Sequence, residues 1–202
     1  MDEVRAYRNT ISAGHLECYE VTVRETDLLV CTDKKIYDIT LNITIKYRNY
    51  IEEYIRMNPI FLTSLVPVAY DLLAPPIIKD MISQSNKVGV GPMASVAGAI
   101  SQYVGSELLD FSKNVIIENG GDNFIKTEHD AHISVYAGSS PLSEKIILKL
   151  NSSSMPAGIC TSSGTIGHSL SFGRADAVCV LSDSAVLADA AATAIGNQVR
   201  NK

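Results

Sequence analysis

An aspartate and a threonine stand four residues apart in an otherwise apolar stretch near the end of the chain. From Ala185 to Ile195 every residue is apolar except Asp189 and Thr193, a pattern that predicts a helix buried on nearly all sides. Side chains four apart lie on one face of a helix, so the carboxylate and the hydroxyl are expected one above the other. A buried carboxylate costs several kcal/mol unless it is paired or binds a metal.

Carboxylate and hydroxyl oxygens are ligands that Mg²⁺ accepts when substrate phosphates complete its octahedral shell. Asp189 and Thr193 therefore predict a magnesium site. The alternative needs no metal: Asp189 would accept a hydrogen bond from a neighbouring loop amide, and Thr193 would donate to a carbonyl of its own helix. An Asp-x-x-x-Thr spacing is common, and the spacing alone favours this alternative.

Three loops rich in glycine and serine are candidates for binding phosphate groups: Gly89–Ser95, Asn119–Asp122 and Thr161–Gly167. Glycine lets the backbone approach a ligand closely and adopt a positive φ, and successive amides in such a turn form a concave anion site. The candidate cofactor-binding residues within them are Gly91, Gly120, Gly121, Asp122, Thr161, Ser162, Ser163 and Gly164. None of the loops matches a Walker loop or a strand-linked GxGxxG pattern, so each is also compatible with an ordinary tight turn.

Two side chains near the third loop are candidates for catalysis. His168 lies between Gly167 and Ser169, where an imidazole could act as a base or hold a substrate, or could serve structure alone. Cys160 precedes Thr161 and would be a nucleophile if nearby amides favoured its thiolate. The alternative for Cys160 is a buried cysteine that packs as a small hydrophobic residue.

A loop, a strand and a helix are predicted to position these side chains. The loop is Gly158–Gly173, and the strand is Asp176–Leu181. The helix is predicted to begin near Ser182 or Ser184, because either hydroxyl can accept a hydrogen bond from a first-turn amide.

Upstream of that loop, short strand patterns alternate with a few long helices. Alternating apolar residues predict a hairpin of His15–Arg24 and Leu28–Thr32. Helical spacing of apolar residues predicts helices at Tyr47–Ile55, Ile77–Ser85 and Met93–Leu108. Further strands are predicted at Asn114–Glu118, Phe124–Thr127, His132–Ala137 and Lys145–Leu150. This order is typical of an α+β fold with a largely antiparallel sheet flanked by helices, and residues 1–202 are predicted to form a single domain.

The composition excludes several classes of partner. A net charge of −5 without a basic patch argues against nucleic acid, and no run of about 20 apolar residues is present to span a membrane. The four cysteines are scattered without a CxxC pair, which favours free thiols in a reducing cytoplasm over disulfides or a zinc site. The expectation is a cytoplasmic protein that binds a small phosphorylated ligand, with an acidic, apolar-rich surface that fits a homodimer.

Four segments in order along the chain resemble a family of uncharacterised proteins of about this length from archaea and anaerobic bacteria. They are GVGPMASVAGAISQYVG, VIIENGGDNF, YAGSSPLS and the stretch from Gly158 to Asn197, and the resemblance extends over nearly the whole chain. That family is similar in turn to the ApbE family, the Mg²⁺-dependent FAD:protein FMN transferases. The resemblance implies an ApbE-like α+β fold.

Four ApbE motifs have counterparts in this sequence. Gly120-Gly121-Asp122 matches the Gly-Gly-Asp motif, Ser162-Ser163-Gly164 resembles Thr-Ser-Gly, and His168 corresponds to the motif histidine. Leu187–Thr193 matches the Leu-Ala-Asp-Ala-x-x-Thr helix. In ApbE proteins the aspartate and threonine of that helix bind Mg²⁺ beside the FAD pyrophosphate. The resemblance therefore implies Mg²⁺ at the corresponding pair and FAD or FMN as the cofactor.

Three functional hypotheses follow. The first is a Mg²⁺-dependent transferase of the ApbE superfamily that acts on a flavin, nucleotide or other phosphorylated ligand, with His168 as acid or base. FMN transfer itself is disfavoured, because Ser95 stands where ApbE proteins usually carry lysine and no Asp-Pro follows the histidine. The second, implied by the resemblance alone, is a sulfur-assimilation factor that forms homocysteine and uses Cys160. The third is a non-catalytic flavin- or nucleotide-binding module.

Overall fold

Residue 8 and residues 14–164 and 172–200 are described by a computed structural model. An N-terminal hairpin, β1 (Glu17–Val23) and β2 (Thr26–Thr32), precedes a helical region that contains α1 (Tyr37–Met57), α2 (Ile60–Thr63), α3 (Pro76–Val88) and α4 (Val96–Leu108). The remaining elements are β3 (Val115–Asn119), β4 (Asp122–Lys126), β5 (Ala131–Ser134), β6 (Ile147–Leu150), β7 (Ala157–Ser162), β8 (Val178–Ser182) and α5 (Ala185–Gly196).

Six strands form one sheet in the order β1-β2-β3-β4-β7-β8, and every neighbouring pair is antiparallel. Strands β5 and β6 form a separate antiparallel pair. The helical region α1–α4 connects β2 to its sheet neighbour β3, and α5 follows the edge strand β8. The predicted α+β fold with an antiparallel sheet flanked by helices is therefore confirmed.

The two faces of the sheet are covered by different parts of the chain. Ile117 and Phe124 belong to the core under the helices, whereas their neighbours Ile116 and Ile125 pack with residues of β5 and β6 on the other face. This alternation follows from the period of two along a strand. Helices α4 and α5 contact the strands directly, and α3 packs against α5. Each large apolar side chain that is fully buried contributes about 1.5–3 kcal/mol to folding.

Helix α1 is the longest helix in the described part of the chain, with 21 residues. Thr40, Ile43, Ile51 and Tyr54 on one side are buried, while Arg56 and other charged residues lie on the solvent side. Across the described ranges, no helix combines the length and the apolar character that a bilayer crossing requires.

Helix α5 begins directly after Ser184, one of the two serines predicted to cap it. Ser184 Oγ accepts a hydrogen bond from Leu187 N at 3.3 Å, so Ser184 is the N-cap residue and the alternative start at Ser182 is wrong. The cap satisfies one of the amides that have no partner inside the helix.

The prediction of a loop from Gly158 to Gly173 is wrong over its first residues. The segment Ala157–Ser162 is strand β7, which lies between β4 and β8 inside the sheet. Gly158, Ser162 and Thr161 suggested a loop because glycine and small polar residues are poor strand formers. Here the pairing with both neighbouring strands outweighs that preference.

The prediction that all cysteines are free thiols is also wrong. Cys18 and Cys31 form a disulfide, with their Cα atoms 4.1 Å apart. The register of β1 and β2 places the two residues directly opposite each other, although 13 residues separate them in the sequence. Cys160 and Cys179 are free. Spacing alone could not reveal the bridge, because it depends on the register of the hairpin.

Candidate functional site

Asp189 lies in the middle of α5 and faces the first turn of α4. The Gly98 amide donates a hydrogen bond to Asp189 Oδ2 at 2.8 Å, and the Ala97 amide also donates to this carboxylate. Only 9% of Asp189 is exposed. A carboxylate at a helix N-terminus accepts amides that lack partners and interacts favourably with the helix dipole. This contact resembles the metal-free alternative, except that the amides belong to a helix and not to a loop.

The proton affinity of Asp189 is dominated by burial. Burial raises its pKa from 3.8 to about 7, and the hydrogen bonds from Gly98 and Ala97 act in the opposite direction. Burial prevails because the charged form loses its hydration. Near neutral pH the charged and the neutral forms are therefore both populated.

Asp122 is the second buried carboxylate of the site and the first residue of β4. Its pKa is well above the usual range because of burial and the negative charge of Asp189, with Glu118 adding to the effect. Hydrogen bonds from the Cys160 thiol and the Thr161 amide oppose this shift. One charge acts in this way only on a group near it, so the two aspartates are neighbours in the fold. Within the described residues, no lysine, arginine or histidine forms an ion pair with either aspartate.

The sheet and the start of α4 hold Asp122 in place. Asp122 pairs with Asn119 across the turn between β3 and β4, and with Cys160 on β7. From the helix side, Ser101 Oγ donates to the Asp122 carbonyl at 2.9 Å, and Asn119 Nδ2 donates to the Ala97 carbonyl at 3.2 Å. The first two turns of α4 thus contact both the backbone of Asp122 on the sheet and the carboxylate of Asp189 on α5.

Two glycines allow α5 to approach the sheet and α4 at the same point. A Cβ atom at Gly98 would lie 2.3 Å from the Ala185 carbonyl oxygen, and one at Gly158 would lie 2.2 Å from Ala185 Cα. Ala185 is fully buried between them. This close packing brings Asp189, one turn further along α5, within hydrogen-bonding distance of α4.

Gln102 is a residue of this region that the sequence did not indicate. Its Oε1 atom accepts hydrogen bonds from the Ala185 amide at 2.7 Å, the Ser184 hydroxyl at 3.2 Å and the Val186 amide at 3.4 Å. These are groups at the start of α5, whose first amides have no partner within the helix. No sequence pattern could identify the contact, because Gln102 and Ala185 are 83 residues apart.

Replacing Gln102 by alanine is expected to lower the free energy of unfolding by about 1–2 kcal/mol, because it leaves partly buried amides without an acceptor. Urea denaturation of the variant and the wild type measures the difference. Gln198→Ala, at an exposed position after α5, is the control and should change the value by less than about 0.5 kcal/mol. Equal stability of the two variants would contradict the role given to Gln102.

Cys160 does not have the environment of a nucleophile. It is fully buried, and its thiol lies within hydrogen-bonding distance of two acceptors, the Ala185 carbonyl oxygen at 3.4 Å and the Asp122 carboxylate. Burial raises the pKa of the thiol well above its usual value, and the charges of Asp122 and Asp189 raise it further. A thiol held in its protonated form reacts poorly. This geometry fits the packing alternative and argues against the predicted catalytic role.

The two glycine turns that were predicted to bind phosphate are neighbours in the fold. The Thr161 amide donates to the Gly121 carbonyl at 3.2 Å, which places the turn after β3 beside the end of β7. Gly120 and Gly121 have φ values of 67° and 102°, a region that favours glycine. Ser162, Ser163 and Gly164 continue from this point and are half-buried or exposed. The structure therefore gathers most of the predicted cofactor-binding residues next to Asp122.

Gly91 has a packing role that does not involve a ligand. It precedes the short 3₁₀ turn Pro92–Ser95, and a Cβ atom at this position would lie 1.8 Å from the Ser64 carbonyl oxygen. Only glycine permits that approach. The role of Gly91 in cofactor binding stays a prediction from the sequence.

Thr193 and His168 complete the predicted set. Thr193 is half-buried on α5, one turn after Asp189, and its carbonyl accepts from the Asn197 amide at 3.0 Å. His168 lies outside the described residues. Where the chain is described, no group of three or more histidine, cysteine, aspartate or glutamate side chains is arranged to hold a metal ion. A site at Asp189 and Thr193 would therefore need further oxygen ligands from water or phosphate.

An open groove of about 380 Å³ on the helix layer shares one residue, Gln102, with the region at the start of α5. It is lined by Tyr47, Asp80, Gln102, Tyr103, Ser106 and Glu107, which include none of the predicted site residues. Tyr103 and Tyr47 donate to the Asp80 and Glu107 carboxylates at 2.6 and 2.7 Å, so these acids are already bonded within the protein. We place the candidate site at the two buried aspartates and not in this groove, because tyrosine hydroxyls bond the acids of the groove, whereas Asp122 and Asp189 are buried with raised pKa values.

Comparison with known proteins identifies close relatives in archaea. The family model described as "AbpE bacteria" matches residues 8–202. A UPF0280 protein of Methanococcus maripaludis (strain C5) is 47% identical over 182 residues, which cover 88% of this chain and 74% of the relative. A UPF0280 protein of Methanocaldococcus jannaschii is 43% identical over 185 residues, which cover 90% of this chain and 75% of the relative.

A solved structure shares the fold. The apo crystal structure of the Pseudomonas stutzeri flavinyl transferase ApbE matches with a TM-score of 0.55 and 11% sequence identity, over 92% of this chain and 85% of that one. At this identity the likeness shows the fold alone, and it confirms the ApbE-like fold that the sequence resemblance implied. Since the family model spans almost the entire sequence and the UPF0280 relatives exceed 40% identity, the chain belongs to the ApbE-like family described as "AbpE bacteria".

Proposed function

We propose that Asp189 and Thr193 bind Mg²⁺, and that the turn Asn119–Asp122 and residues Ser162–Gly164 bind the pyrophosphate of FAD or a similar nucleotide beside it. Membership of an ApbE-like family and the ApbE-like fold support a function related to flavin transfer. The metal, the ligand and the reaction are the parts that we propose.

One observation carries the proposal: two buried aspartates both contact α4, Asp189 through its carboxylate with the Gly98 amide and Asp122 through its carbonyl with Ser101 Oγ. The charge of Asp189 raises the free energy of the charged form of Asp122, and in the described part of the chain no lysine, arginine or histidine forms an ion pair with either aspartate. Such an arrangement opposes folding unless the acids are neutral or a cation is bound. A divalent cation at this point would stabilise both charges at once.

The donor atoms available here fit Mg²⁺. A carboxylate has about four acceptor positions, so two amide hydrogen bonds leave Asp189 able to bind a metal. The Thr193 hydroxyl adds a second hard oxygen, whereas the soft Cys160 sulfur stays protonated. Mg²⁺ typically keeps only one or two protein ligands and takes the rest from phosphate and water. This sparse set is therefore sufficient.

The chemistry of such a site is the cleavage or binding of a pyrophosphate. Bound Mg²⁺ would supply neutralisation of the charge on the phosphate oxygens and on the leaving group. The backbone of the Gly120–Gly121 turn would position the phosphates, because glycine lets its amides approach them closely. Asp122 would stay neutral while the site is empty and could release its proton when a cation binds. His168 as the acid or base remains a prediction from the sequence.

The proposal is tested by isothermal titration of FAD into the full chain, with Mg²⁺ present or removed by EDTA. We expect Mg²⁺ to strengthen binding by at least about tenfold, equivalent to about 1.4 kcal/mol. Asp189→Asn should remove this effect, and Thr193→Val, which keeps the shape but not the oxygen, should weaken it. The matched control is Asp183→Asn, an exposed aspartate just before α5, which should bind as the wild type does. Equal FAD affinity in EDTA, or Mg²⁺-dependent binding by Asp189→Asn, would refute the metal role.

A non-catalytic binding module is the second candidate, and one contact favours it. At the position where ApbE proteins usually carry lysine, Ser95 is fully buried and donates to the Pro92 carbonyl at 2.8 Å. A serine bonded in this way brings no positive charge to a phosphate. If water attacks the FAD pyrophosphate, the products are AMP and free FMN; if a protein hydroxyl attacks, FMN is joined to that protein and AMP is released. Chromatography for AMP and FMN, with and without an added protein that offers serine and threonine hydroxyls, separates the two functions: product formation supports the enzyme, and binding without product under both conditions supports the module.

A further inference from the structure

The segment Met57–Leu73, hereafter the apolar segment, exposes an unusual number of large hydrophobic side chains. Leu73 is 94% exposed, Leu72 76% and Met57 70%. Others that are half or more exposed are Ile60, Leu62, Leu65, Val66 and Tyr70. Scattered exposed hydrophobic residues are normal on a protein surface, but eight within one short stretch are not.

The apolar segment is held firmly against the rest of the protein. Phe61 is 1% exposed and packs in the main core. The Asn86 side chain accepts from the Val68 amide at 3.2 Å and donates to the Val68 carbonyl at 2.8 Å. Gly91 is the point of close contact with Ser64. The exposed side chains are therefore presented on an anchored backbone, which reduces the entropy lost when a partner binds.

The exposed area is large enough for a stable interface. If a fully exposed large side chain offers roughly 180 Å², the eight together present on the order of 900 Å². Patches on monomeric proteins are usually a few hundred Å², whereas a stable interface needs about 800 Å² from each partner. The apolar segment could supply that area on its own.

The charge distribution indicates which partner fits. Between residues 57 and 73 the only charged residue is Asp71, and its carboxylate accepts from the Tyr54 hydroxyl at 3.1 Å and the Leu73 amide at 2.8 Å. A two-fold interface places the same surface on both sides, so a surface with a single carboxylate, hydrogen-bonded within its own chain, keeps the repulsion of like charges small. The segment has no lysine or arginine to attract anionic lipids, which disfavours a membrane surface.

We infer that the apolar segment is the interface of a homodimer, in which two copies of this chain pack these side chains against each other about a two-fold axis. The apolar segment shares no residue with the proposed magnesium site, and the dimer does not depend on that proposal. The contact between Ser64 and Gly91 would connect the interface to the 3₁₀ turn before α4.

Sedimentation equilibrium of the full chain from nanomolar to high micromolar concentrations tests the dimer. The wild type is expected at twice its 21.8 kDa monomer mass. Leu73→Glu and Leu65→Glu each place two charges per dimer in the interface and should weaken association by about 100-fold or more. Leu142→Glu is the control, because Leu142 and Leu65 are both 57% exposed and Leu142 lies outside the segment.

A wild-type protein that stays monomeric throughout this range overturns the inference. It is also overturned if both glutamate variants remain dimeric, or if Leu142→Glu dissociates the dimer as strongly as they do. Circular dichroism establishes that each variant is folded, and either of the two glutamate variants suffices for the comparison. Co-sedimentation of a monomeric wild type with phosphatidylcholine and phosphatidylglycerol vesicles would assign the segment to a membrane instead.

Discussion

Gly158→Ala is expected to lower the free energy of unfolding by about 3 kcal/mol or more, and Gly158→Val to yield no folded protein. A Cβ atom at position 158 would lie 2.2 Å from Ala185 Cα and 2.5 Å from Ala185 N. Overpacking typically costs about 1–3 kcal/mol when side chains can move aside. Here the obstructing atoms are backbone, so relief requires α5 to move away from β7.

Displacement of α5 would also disturb the candidate site, because Asp189 depends on the same close approach for its contact with Gly98. Urea denaturation measures the loss of stability. Gly196→Ala is a suitable control, because Gly196 is the last residue of α5. A Cβ atom at this position would lie 3.6 Å from Ser162 Oγ, which is an ordinary contact. The control should equal or exceed the wild type in stability, since alanine favours helix. A Gly158→Ala protein within about 1 kcal/mol of the wild type would contradict the packing described here.

The sequence predicted the overall architecture better than it predicted strand β7. Alternating apolar residues located the β1–β2 hairpin, and the apolar run after Ser184 located α5, because both patterns report burial on one face or on all faces. Strand β7 escaped detection, since Gly158 and the following small polar residues favour a loop by local preference. The reason for glycine there lies in Ala185, 27 positions further along the sequence.

The candidate site shows the same limit. The sequence singled out Asp189, Asp122 and the glycine turns as residues that could do chemistry, and the structure places them together. The sequence could not show that Gly98, 91 residues before Asp189, supplies the hydrogen bond to that carboxylate. Contacts of this range depend on how helices pack and leave no periodic signal.

Asp189→Asn is expected to be more stable than the wild type at pH 8 when divalent cations are absent, by about 2–4 kcal/mol, and close to the wild type at pH 4. Asparagine has nearly the shape of the neutral acid and can still accept from Gly98, but it carries no charge to bury. The comparison of the two proteins cancels the titrating groups that lie far from position 189, and it includes the effect of the Asp189 charge on the pKa of Asp122.

The sign follows from the two pKa values of Asp189, 3.8 when unfolded and about 7 when folded. Between these values the folded protein binds more protons than the unfolded chain, so stability falls as pH rises through this window and is flat above it. Each pKa unit corresponds to about 1.4 kcal/mol. The raised pKa of Asp122 acts in the same direction. The advantage of the asparagine variant should therefore grow from pH 4 to pH 7.

Added Mg²⁺ should reverse this order at pH 8. A ligand that binds only the folded state, present at 1,000 times its dissociation constant, stabilises that state by about 4.1 kcal/mol. This gain exceeds the advantage of the asparagine variant and should reach the wild type but not Asp189→Asn. Thermal and urea unfolding measure the stability of the wild type and of Asp189→Asn, each in EDTA and in Mg²⁺. Asp183→Asn should follow the wild type under both conditions. If Asp189 serves only to bond the α4 amides, the asparagine variant will be less stable at every pH and Mg²⁺ will change neither protein. A carboxylate that costs stability when the cation is absent and restores it when the cation binds is held in the fold for its ligand.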